Sequence, residues 1–533
     1  MISHHTQPTV RQAFIQLLRD FGVDTVFGNP GSTELPLFRD FPSDMRYVLG
    51  LQESVVVGMA DGYAQATKNV AFVNLHSAVG VGHAMGNIFT AFKNQTPLII
   101  TAGQQARSIL PFDPYLFATQ STELPKPYMK WAYEPARAAD VPLALARAYY
   151  MAMQAPRGPV FLSIPVDDWE HPSAWVSTRL VSQAIGPDPQ LMHNMAAAFK
   201  QAKRAAVIAG AGVARDGAVE RLVKLAELHQ AAVYAAPMSA RCGFPERHTL
   251  FMGFLPAMRE KIVALLEGYD FILVLGAPVF TYHIEGTGPH IPTGATCWQI
   301  VDDVHTAAWT PTGTSIVSSI DLALDSLLSN CEPATNRTPS FARTTLPAPV
   351  LSMPMSTAYV LHQLDQLRGK DDVVVEEAPG ARTNMQQYLP MNGEESFYTM
   401  ASGGLGWGMP AAVGIALGRK KLGLPGRVIG LIGDGSAMYS IQALYSAAEL
   451  DLPITFLIMN NRRYAALQEF APVFGYALHE KPVGTNLTGI DFVQLAEAQG
   501  VHGSQVEDPT KLQLSILAAL SAEGPYLLEV VII

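Results

Sequence analysis

The sequence predicts an α/β protein made of three doubly wound parallel-sheet domains. Three observations lead there. The chain has 533 residues, more than one hydrophobic core organises, so several domains of ordinary size are expected. Short, continuous apolar runs alternate with stretches of helical periodicity, as in sheets covered on both faces. Two segments interrupt this rhythm, Gly186–Pro189 and the Pro-, Thr-, Ser- and Ala-rich stretch from Glu332 to Pro354. The resulting domains are placed at residues 1–182, 183–342 and 343–533.

Within the first domain, Val10 to Phe21 repeats apolar residues at helical spacing and stops at Gly22. Val23–Phe27 reads as a strand entering the turn Gly28-Asn29-Pro30-Gly31, followed by strands at Ala71–Leu75, Pro97–Thr101 and Gly158–Pro165. A glycine-studded helix is expected from about Val79. The second domain offers strands at Ala205–Ala209, Phe271–Leu275 and Cys297–Val301, and the third at Asp372–Glu376, Val428–Ile432, Ile454–Met459 and Tyr526–Val530.

Composition narrows the function class. Charged residues make up 15% of the chain and the formal charge is −10, without a Lys/Arg block, which disfavours a nucleic-acid partner. Cys242, Cys297 and Cys331 lack the spacing of a disulfide framework or a zinc site and suit a reducing compartment. The start, Met1 to Pro8, has no basic patch followed by an apolar run, and no stretch is long enough to span a bilayer. A cytoplasmic protein without a membrane partner is expected.

Residues 433–461 carry the most chemistry. Gly433-Asp434-Gly435-Ser436 follows an apolar strand, and Asn460-Asn461 closes the next. Strand ends on one edge of a parallel sheet bring Asp434 and Asn461 together. Both offer hard oxygen donors, which suit Mg2+ or Ca2+ better than a soft metal. The glycines let the backbone approach an anion, and a helix after Ser436 is expected to aim its N–H groups at it. Either motif alone is more often an ordinary turn; the pair at this spacing is far more specific. Glu53, in Leu49-Gly50-Leu51-Gln52-Glu53-Ser54, opens a small-residue helix from Val55 to Ala66. The plain alternative is a surface glutamate favouring the helix dipole.

This combination resembles the thiamine-diphosphate-dependent 2-keto acid decarboxylases, in which Gly-Asp-Gly is followed after a βα unit by Asn-Asn. The segments around Glu53 (G-L-Q-E and A-D-G-Y-A) resemble that family too. The resemblance implies thiamine diphosphate and Mg2+, or Ca2+, as cofactors. It implies Asp434, Asn461 and the backbone carbonyl of Arg463 as metal ligands, with Gly435 and Ser436 in the same cofactor-binding turn. Arg463 departs from the small residue expected, so its side chain must turn away or meet the diphosphate. Glu53 would hydrogen-bond the pyrimidine N1′ and promote formation of the C2 carbanion. Leu405 would wedge between the cofactor rings, and the Gly403 carbonyl would accept from the 4′-amino group. Gly380 and Ala381 would give backbone N–H groups to the diphosphate, because Glu377–Arg382 lacks the usual hydroxyls.

Phe27–Pro36 (F-G-N-P-G-S-T-E-L-P), Asn74–Ala78, Thr101–Gln105, Gly276–His283 and Gly403–Gly406 resemble the benzoylformate-decarboxylating branch of the family. That branch implies Ser32, His76 and His283 around the substrate. Ser32 would orient the carboxylate, His76 would protonate the carbonyl oxygen, and His283 would protonate the enamine before the aldehyde leaves. Imidazole titrates near working pH and suits both transfers. A single histidine is often structural and the chain has 14, so the weight rests on the constellation. Tyr115, Leu116, Thr399, Ala466, Leu467 and Phe470 would line the substrate pocket. Thr399 replaces an aromatic wall, which leaves another aryl or branched 2-keto acid open as the small-molecule partner. The cofactor would lie between the first domain of one subunit and the third of another, making a dimer the minimum and a dimer of dimers the expected tetramer.

Two other readings compete. Gly210-Ala211-Gly212 invites a nucleotide site in the middle domain, but the next glycine is Gly217, one position too far for G-x-G-x-x-G. It would fit a flavin-containing carboligase of the acetohydroxyacid-synthase type. A non-catalytic binding protein that kept the fold is the other. The presence of Glu53, Asp434 and Asn461 speaks against it.

Overall fold

The computed structural model describes residues 7–330, 332–333, 346–477 and 480–533. The Met1–Thr6 segment, Cys331 and most of the Glu332–Pro354 stretch lie outside the described residues. Three six-stranded sheets, all parallel, succeed one another along the chain. The first holds β1 (Thr25–Gly28), β2 (Arg46–Leu49), β3 (Ala71–Leu75), β4 (Leu98–Gln104), β5 (Trp131–Tyr133) and β6 (Val160–Pro165). The second holds β7 (Ala205–Ala209), β8 (Ala232–Ala235), β9 (Phe251–Phe254), β10 (Phe271–Leu275), β11 (Thr296–Val301) and β12 (Thr314–Val317). The third holds β13 (Val373–Glu377), β14 (Phe397–Thr399), β15 (Val428–Gly433), β16 (Ile454–Asn460), β17 (His502–Val506) and β18 (Tyr526–Val531).

The first and third sheets share one topology. Their orders are β2-β1-β3-β4-β6-β5 and β14-β13-β15-β16-β18-β17, so β1, β3 and β4 correspond to β13, β15 and β16. The middle sheet runs β12-β11-β10-β7-β8-β9. Central strands such as β3, β4, β7, β10 and β16 are buried along their whole length, which is why they read as unbroken apolar runs.

Two local expectations are corrected. Gly186–Pro189 is not linker throughout. Pro189 is the first residue of a helix, Pro189–Gln201, because the Asp188 side chain caps it by accepting from the Leu191 N–H. The helix at the Gly-Asp-Gly turn does not follow Ser436. It begins at Asp434, directly after β15, and runs one turn to Ala437. The middle-domain glycines have a packing task. A Cβ on Gly210 would come within 2.5 Å of the Gly276 carbonyl oxygen, and one on Gly212 within 2.7 Å of the Gly276 Cα.

The first and third domains are joined by a close helix contact. The Glu53–Thr67 helix crosses the Gly408–Lys421 helix with backbone against backbone. A Cβ on Gly414 would lie 1.8 Å from the Met59 carbonyl oxygen, and one on Gly62 2.3 Å from that of Ala411. One apolar cluster runs through both domains across this crossing, from Phe27 and Val73 to Trp407 and Ile458. Asp61 is buried within it and accepts hydrogen bonds from Gln65 Nε2 (2.8 Å), Asn94 Nδ2 (2.9 Å), Thr96 Oγ1 and the Trp407 indole N–H (2.7 Å).

Asp61→Ala would leave these donors unpaired inside the core, at a cost of about 3 kcal/mol or more. An apparent Tm several degrees below wild type at the same scan rate is expected; an unchanged Tm would show that the network is dispensable.

Candidate active site

In the first and third sheets the strand order reverses between β1 and β3 and between β13 and β15. Loops leaving the carboxyl ends of strands at such a reversal form a crevice. Ser32 and His76 follow β1 and β3; Gly380–Ala381 and Asp434 follow β13 and β15. Topology alone thus puts the sequence-derived candidates at two equivalent places.

Register places Gly433 opposite Met459, so Asp434 and Asn461 emerge side by side. The Arg463 N–H meets both, Asn461 Oδ1 at 3.1 Å and Asp434 Oδ2 at 3.3 Å. Asp434 is 4% exposed, and its other oxygen accepts from the Gly435 N–H at 2.7 Å. Burial raises its carboxyl above the ordinary value, against the pull of backbone N–H groups from Gly435, Arg462, Arg463 and Asn461. A buried carboxylate that faces only backbone dipoles suits a cation. The Nε of Arg463 is buried without a hydrogen-bond partner, which suits an anion beside that cation. These residues therefore fit a metal-bridged diphosphate. Among the described residues no group of three His, Cys, Asp or Glu gathers, so a metal here would rely on one carboxylate with amide and carbonyl oxygens.

Gly435 is required by its neighbour: a Cβ would lie 2.3 Å from the Tyr464 ring. Ser436 is buried in the same turn. Gly380 lies against the start of the Ala465–Phe470 helix, its Cβ position 3.5 Å from the Ala465 Cβ and 3.7 Å from the Ala466 N. The structure thereby brings Gly380, buried Ala381, Ala466, Asp434 and Asn461 into one region. Leu467 is 57% exposed. The exposed His283 reaches Phe470 from the middle domain, with ring centroids 5.0 Å apart.

The loop bearing Gly403 and Leu405 is held by a residue that sequence reasoning missed. Glu377, at the end of β13, is buried and accepts from the backbone N–H groups of Gly406 (2.7 Å), Trp407 (2.7 Å) and Gly408. Gly408 allows this approach, since a Cβ would lie 2.6 Å from that of Glu377. Gly403 adopts a φ of 73° and is exposed, while half-buried Leu405 packs on the shared core.

Thr399 is corrected as a pocket wall. It is 1% exposed, and its hydroxyl lies 2.8 Å from the Glu376 carbonyl oxygen, 2.9 Å from Glu376 Oε2 and 2.8 Å from an Arg382 guanidinium nitrogen. A buried hydroxyl committed to buried Glu376 and half-buried Arg382 is part of the sheet's own hydrogen bonding.

On the first domain, His76 Nδ1 lies 2.8 Å from Glu34 Oε2. Glu34 is itself buried and accepts from Thr33 Oγ1 (2.6 Å), Gly31 N–H (3.0 Å) and Gly103 N–H (3.0 Å). Gly31 makes room for the imidazole, because a Cβ would fall 2.1 Å from Nδ1. Ser32 stands exposed on the same turn. Glu53 is the first residue of its helix and is 8% exposed, so the surface-glutamate reading fails. The Gln52 side chain caps the helix by accepting from Ser54 and Val55 N–H groups. Tyr115 is 87% exposed, and its carbonyl accepts from Gln105 Nε2 at 2.8 Å, which ties the Tyr115–Leu116 loop to the end of β4. Left-handed backbone at Ser77 (φ 47°), Leu116 (φ 65°) and Arg462 (φ 57°) falls beside three candidate segments, where strain commonly marks function.

The candidates thus form two half-sites in one chain. Ser32, Glu53, His76, Tyr115 and Leu116 lie on the first domain. Gly380, Ala381, Gly403, Leu405, Asp434, Asn461, Arg463 and Phe470 lie on the third, with His283 beside them.

The chain belongs to the thiamine pyrophosphate enzymes: residues 8–122 match the N-terminal TPP binding domain of that family, 192–327 its central domain and 380–530 its C-terminal TPP binding domain. It is 41% identical over 530 residues to benzoylformate decarboxylase of Pseudomonas aeruginosa, covering 98% of each chain. Its structure is similar to that of benzoylformate decarboxylase from Polynucleobacter necessarius (TM-score 0.93, 40% identity, 98% of each chain). A thiamine diphosphate-dependent 4-hydroxybenzoylformate decarboxylase from Rhodococcus jostii is also similar (TM-score 0.93, 37% identity, 98% of this chain and 99% of that one).

Burial pushes the Glu377 carboxyl up to about 7, with Glu376 adding to the shift and the backbone N–H groups of Gly406, Gly408 and Trp407 opposing it. A carboxyl whose native value lies above its unfolded value holds its proton more tightly when folded, so its contribution falls as pH rises from the ordinary 4.5 toward about 7. The gap in apparent Tm between wild type and Glu377→Gln should therefore narrow between about pH 5 and about pH 8. A gap that widens would show that the ionised carboxylate is the stabilising form.

Proposed function

We propose that this protein decarboxylates benzoylformate, or a closely related aromatic 2-keto acid, to the aldehyde and CO2, with thiamine diphosphate and Mg2+ as cofactors. The observation that carries this reading is the placement of Ser32 and the Glu34-held His76 at the first sheet's reversal, with Asp434 and Asn461 at the equivalent point of the third. When bound, thiamine diphosphate supplies the carbon nucleophile and the electron sink for loss of CO2.

The chain's own residues divide the remaining work. Asp434, Asn461 and the Arg463 carbonyl would hold the cation, with Gly380, Ala381, Gly435 and Ser436 at the diphosphate. Gly403 and Leu405 would support the cofactor rings, and Glu53 would share a proton with the pyrimidine. Ser32 binds the substrate carboxylate. A carboxylate accepts, so Glu34 takes the Nδ1–H of His76 and leaves Nε2 to face the substrate. With Nδ1–H given to Glu34, His76 must act as the imidazolium, which carries a second proton on Nε2 and gives it to the substrate's carbonyl oxygen, leaving the neutral ring still bound to Glu34. His283, whose ring lies tilted against that of Phe470, protonates the carbon that has lost CO2. Tyr115, Leu116, Ala466, Leu467 and Phe470 shape the aryl pocket.

Two copies of the chain would complete each site, joining the first-domain half-site of one to the third-domain half-site of the other. A dimer is then the smallest active form, and a dimer of dimers the proposed assembly. We place the protein in the cytoplasm, a reading supported by the free, buried Cys242 and Cys297. Among the described residues no helix is long and apolar enough to cross a membrane.

The test is aldehyde release from benzoylformate, 4-hydroxybenzoylformate, pyruvate and branched 2-keto acids, with and without thiamine diphosphate and Mg2+. Cofactor-dependent benzaldehyde formation is expected. His76→Ala should lower kcat by about a hundredfold or more while cofactor affinity holds. Cofactor binding without turnover of either aromatic acid would overturn the substrate assignment.

A further inference from the structure

Beyond its N-cap His76, the Ser77–Asn94 helix carries a stripe that the sequence pattern did not single out: Gly80, His83 and Asn87. Spacings of four, three and four residues put these positions on one face. Each meets a part of the candidate site. His76 is bound by Glu34 at the head of the stripe. At Gly80 a Cβ would stand 3.3 Å from both Cγ and Oε1 of Glu53, so the missing side chain gives that glutamate its room. Nδ1 of His83 lies 3.1 Å from Glu53 Oε2. Asn87 Nδ2 donates to the Ser54 carbonyl at 2.7 Å and to the Gly406 carbonyl at 3.0 Å.

We propose that His83 is a positioning residue for Glu53. Ionised glutamate only accepts hydrogen bonds, so the contact makes Nδ1 of His83 the donor. A glutamate side chain has several rotatable bonds, and its terminal carboxylate rotates freely unless held. Here the Gly80 backbone limits the stem and His83 engages Oε2, which leaves Oε1 to serve the cofactor nitrogen. Asn87 fixes the backbone one residue further along, at Ser54, and ties it to the loop that carries Leu405. The helix therefore aligns the glutamate with respect to its own chain, by contacts that belong to neither the metal corner nor the substrate pocket. This inference rests on the reading that Glu53 serves thiamine diphosphate.

The test is exchange of the C2 proton of bound thiamine diphosphate for deuterium, followed by quenched-flow NMR with Mg2+ present and no substrate. His83→Ala should slow exchange by about tenfold or more, the effect of losing a hydrogen bond to a charged group. Its thiamine diphosphate affinity and Tm should match wild type. His83→Asn, whose side-chain amide can donate from near the Nδ1 position, should recover most of the rate. Unchanged exchange in His83→Ala overturns the proposal. So does a joint fall of exchange, affinity and Tm in both variants, which would mark a packing role. Glu53→Gln in the same assay separates the two levels. If that variant exchanges at the wild-type rate, the reading of Glu53 itself fails; if it is slow while His83→Ala is fast, only the role of His83 fails.

Discussion

Everything near the candidate site depends on one crossing, where the Glu53–Thr67 and Gly408–Lys421 helices meet backbone to backbone. Gly62 and Gly414 make this possible, since any Cβ there would enter the other helix's backbone. The N-terminus of one helix carries Glu53; the N-terminus of the other begins at the loop that carries Leu405. With no side chain between the backbones at Gly62 and Gly414, the two helices have little freedom to slide. Asp61 reinforces the crossing by taking the Trp407 indole N–H, and Asn87 spans from Ser54 to Gly406. Close packing of this kind transmits shape better than a looser side-chain interface, because interiors are dense and resist deformation.

The shared topology of the first and third sheets extends the same logic. Both use the reversal of strand order to open a crevice at the strands' carboxyl ends, and they furnish it with different chemistry. The first supplies an imidazole held by a buried carboxylate. The third supplies a buried carboxylate, an amide and a tight glycine turn. Buried acids recur as braces at these positions: Glu34 below His76, Glu377 below the Leu405 loop and Glu376 against Arg382. Each is paid for by hydrogen bonds, since an unpaired buried charge is costly.

Much of this was legible in the sequence because the central strands are buried on both faces and so read as apolar runs. Asp434 and Asn461 were legible for the same reason, lying where adjacent runs end. The short strands β2, β5 and β14 were not, having only three or four residues each. Glu34 and Glu377 escaped notice because a glutamate in a turn looks exposed; only the fold shows the backbone N–H groups converging on it. Their signal is faint, because most of the glycines that approach them, Gly103 for Glu34 and Gly406 and Gly408 for Glu377, are distant in the sequence. Thr399 misled for the opposite reason. Its partners, Glu376 and Arg382, come from a neighbouring strand and the helix after it, and residue spacing does not reveal that they claim its hydroxyl.

The Asp434–Asn461 corner is proposed to hold a metal-bridged diphosphate. Calorimetric titration of metal-free protein with thiamine diphosphate, with and without Mg2+, tests it most directly when wild type is compared with Asp434→Ala. Saturable, Mg2+-dependent binding to wild type and its loss in the variant are expected, with the fold retained by circular dichroism. Binding to Asp434→Ala with wild-type affinity and the same Mg2+ dependence would contradict it.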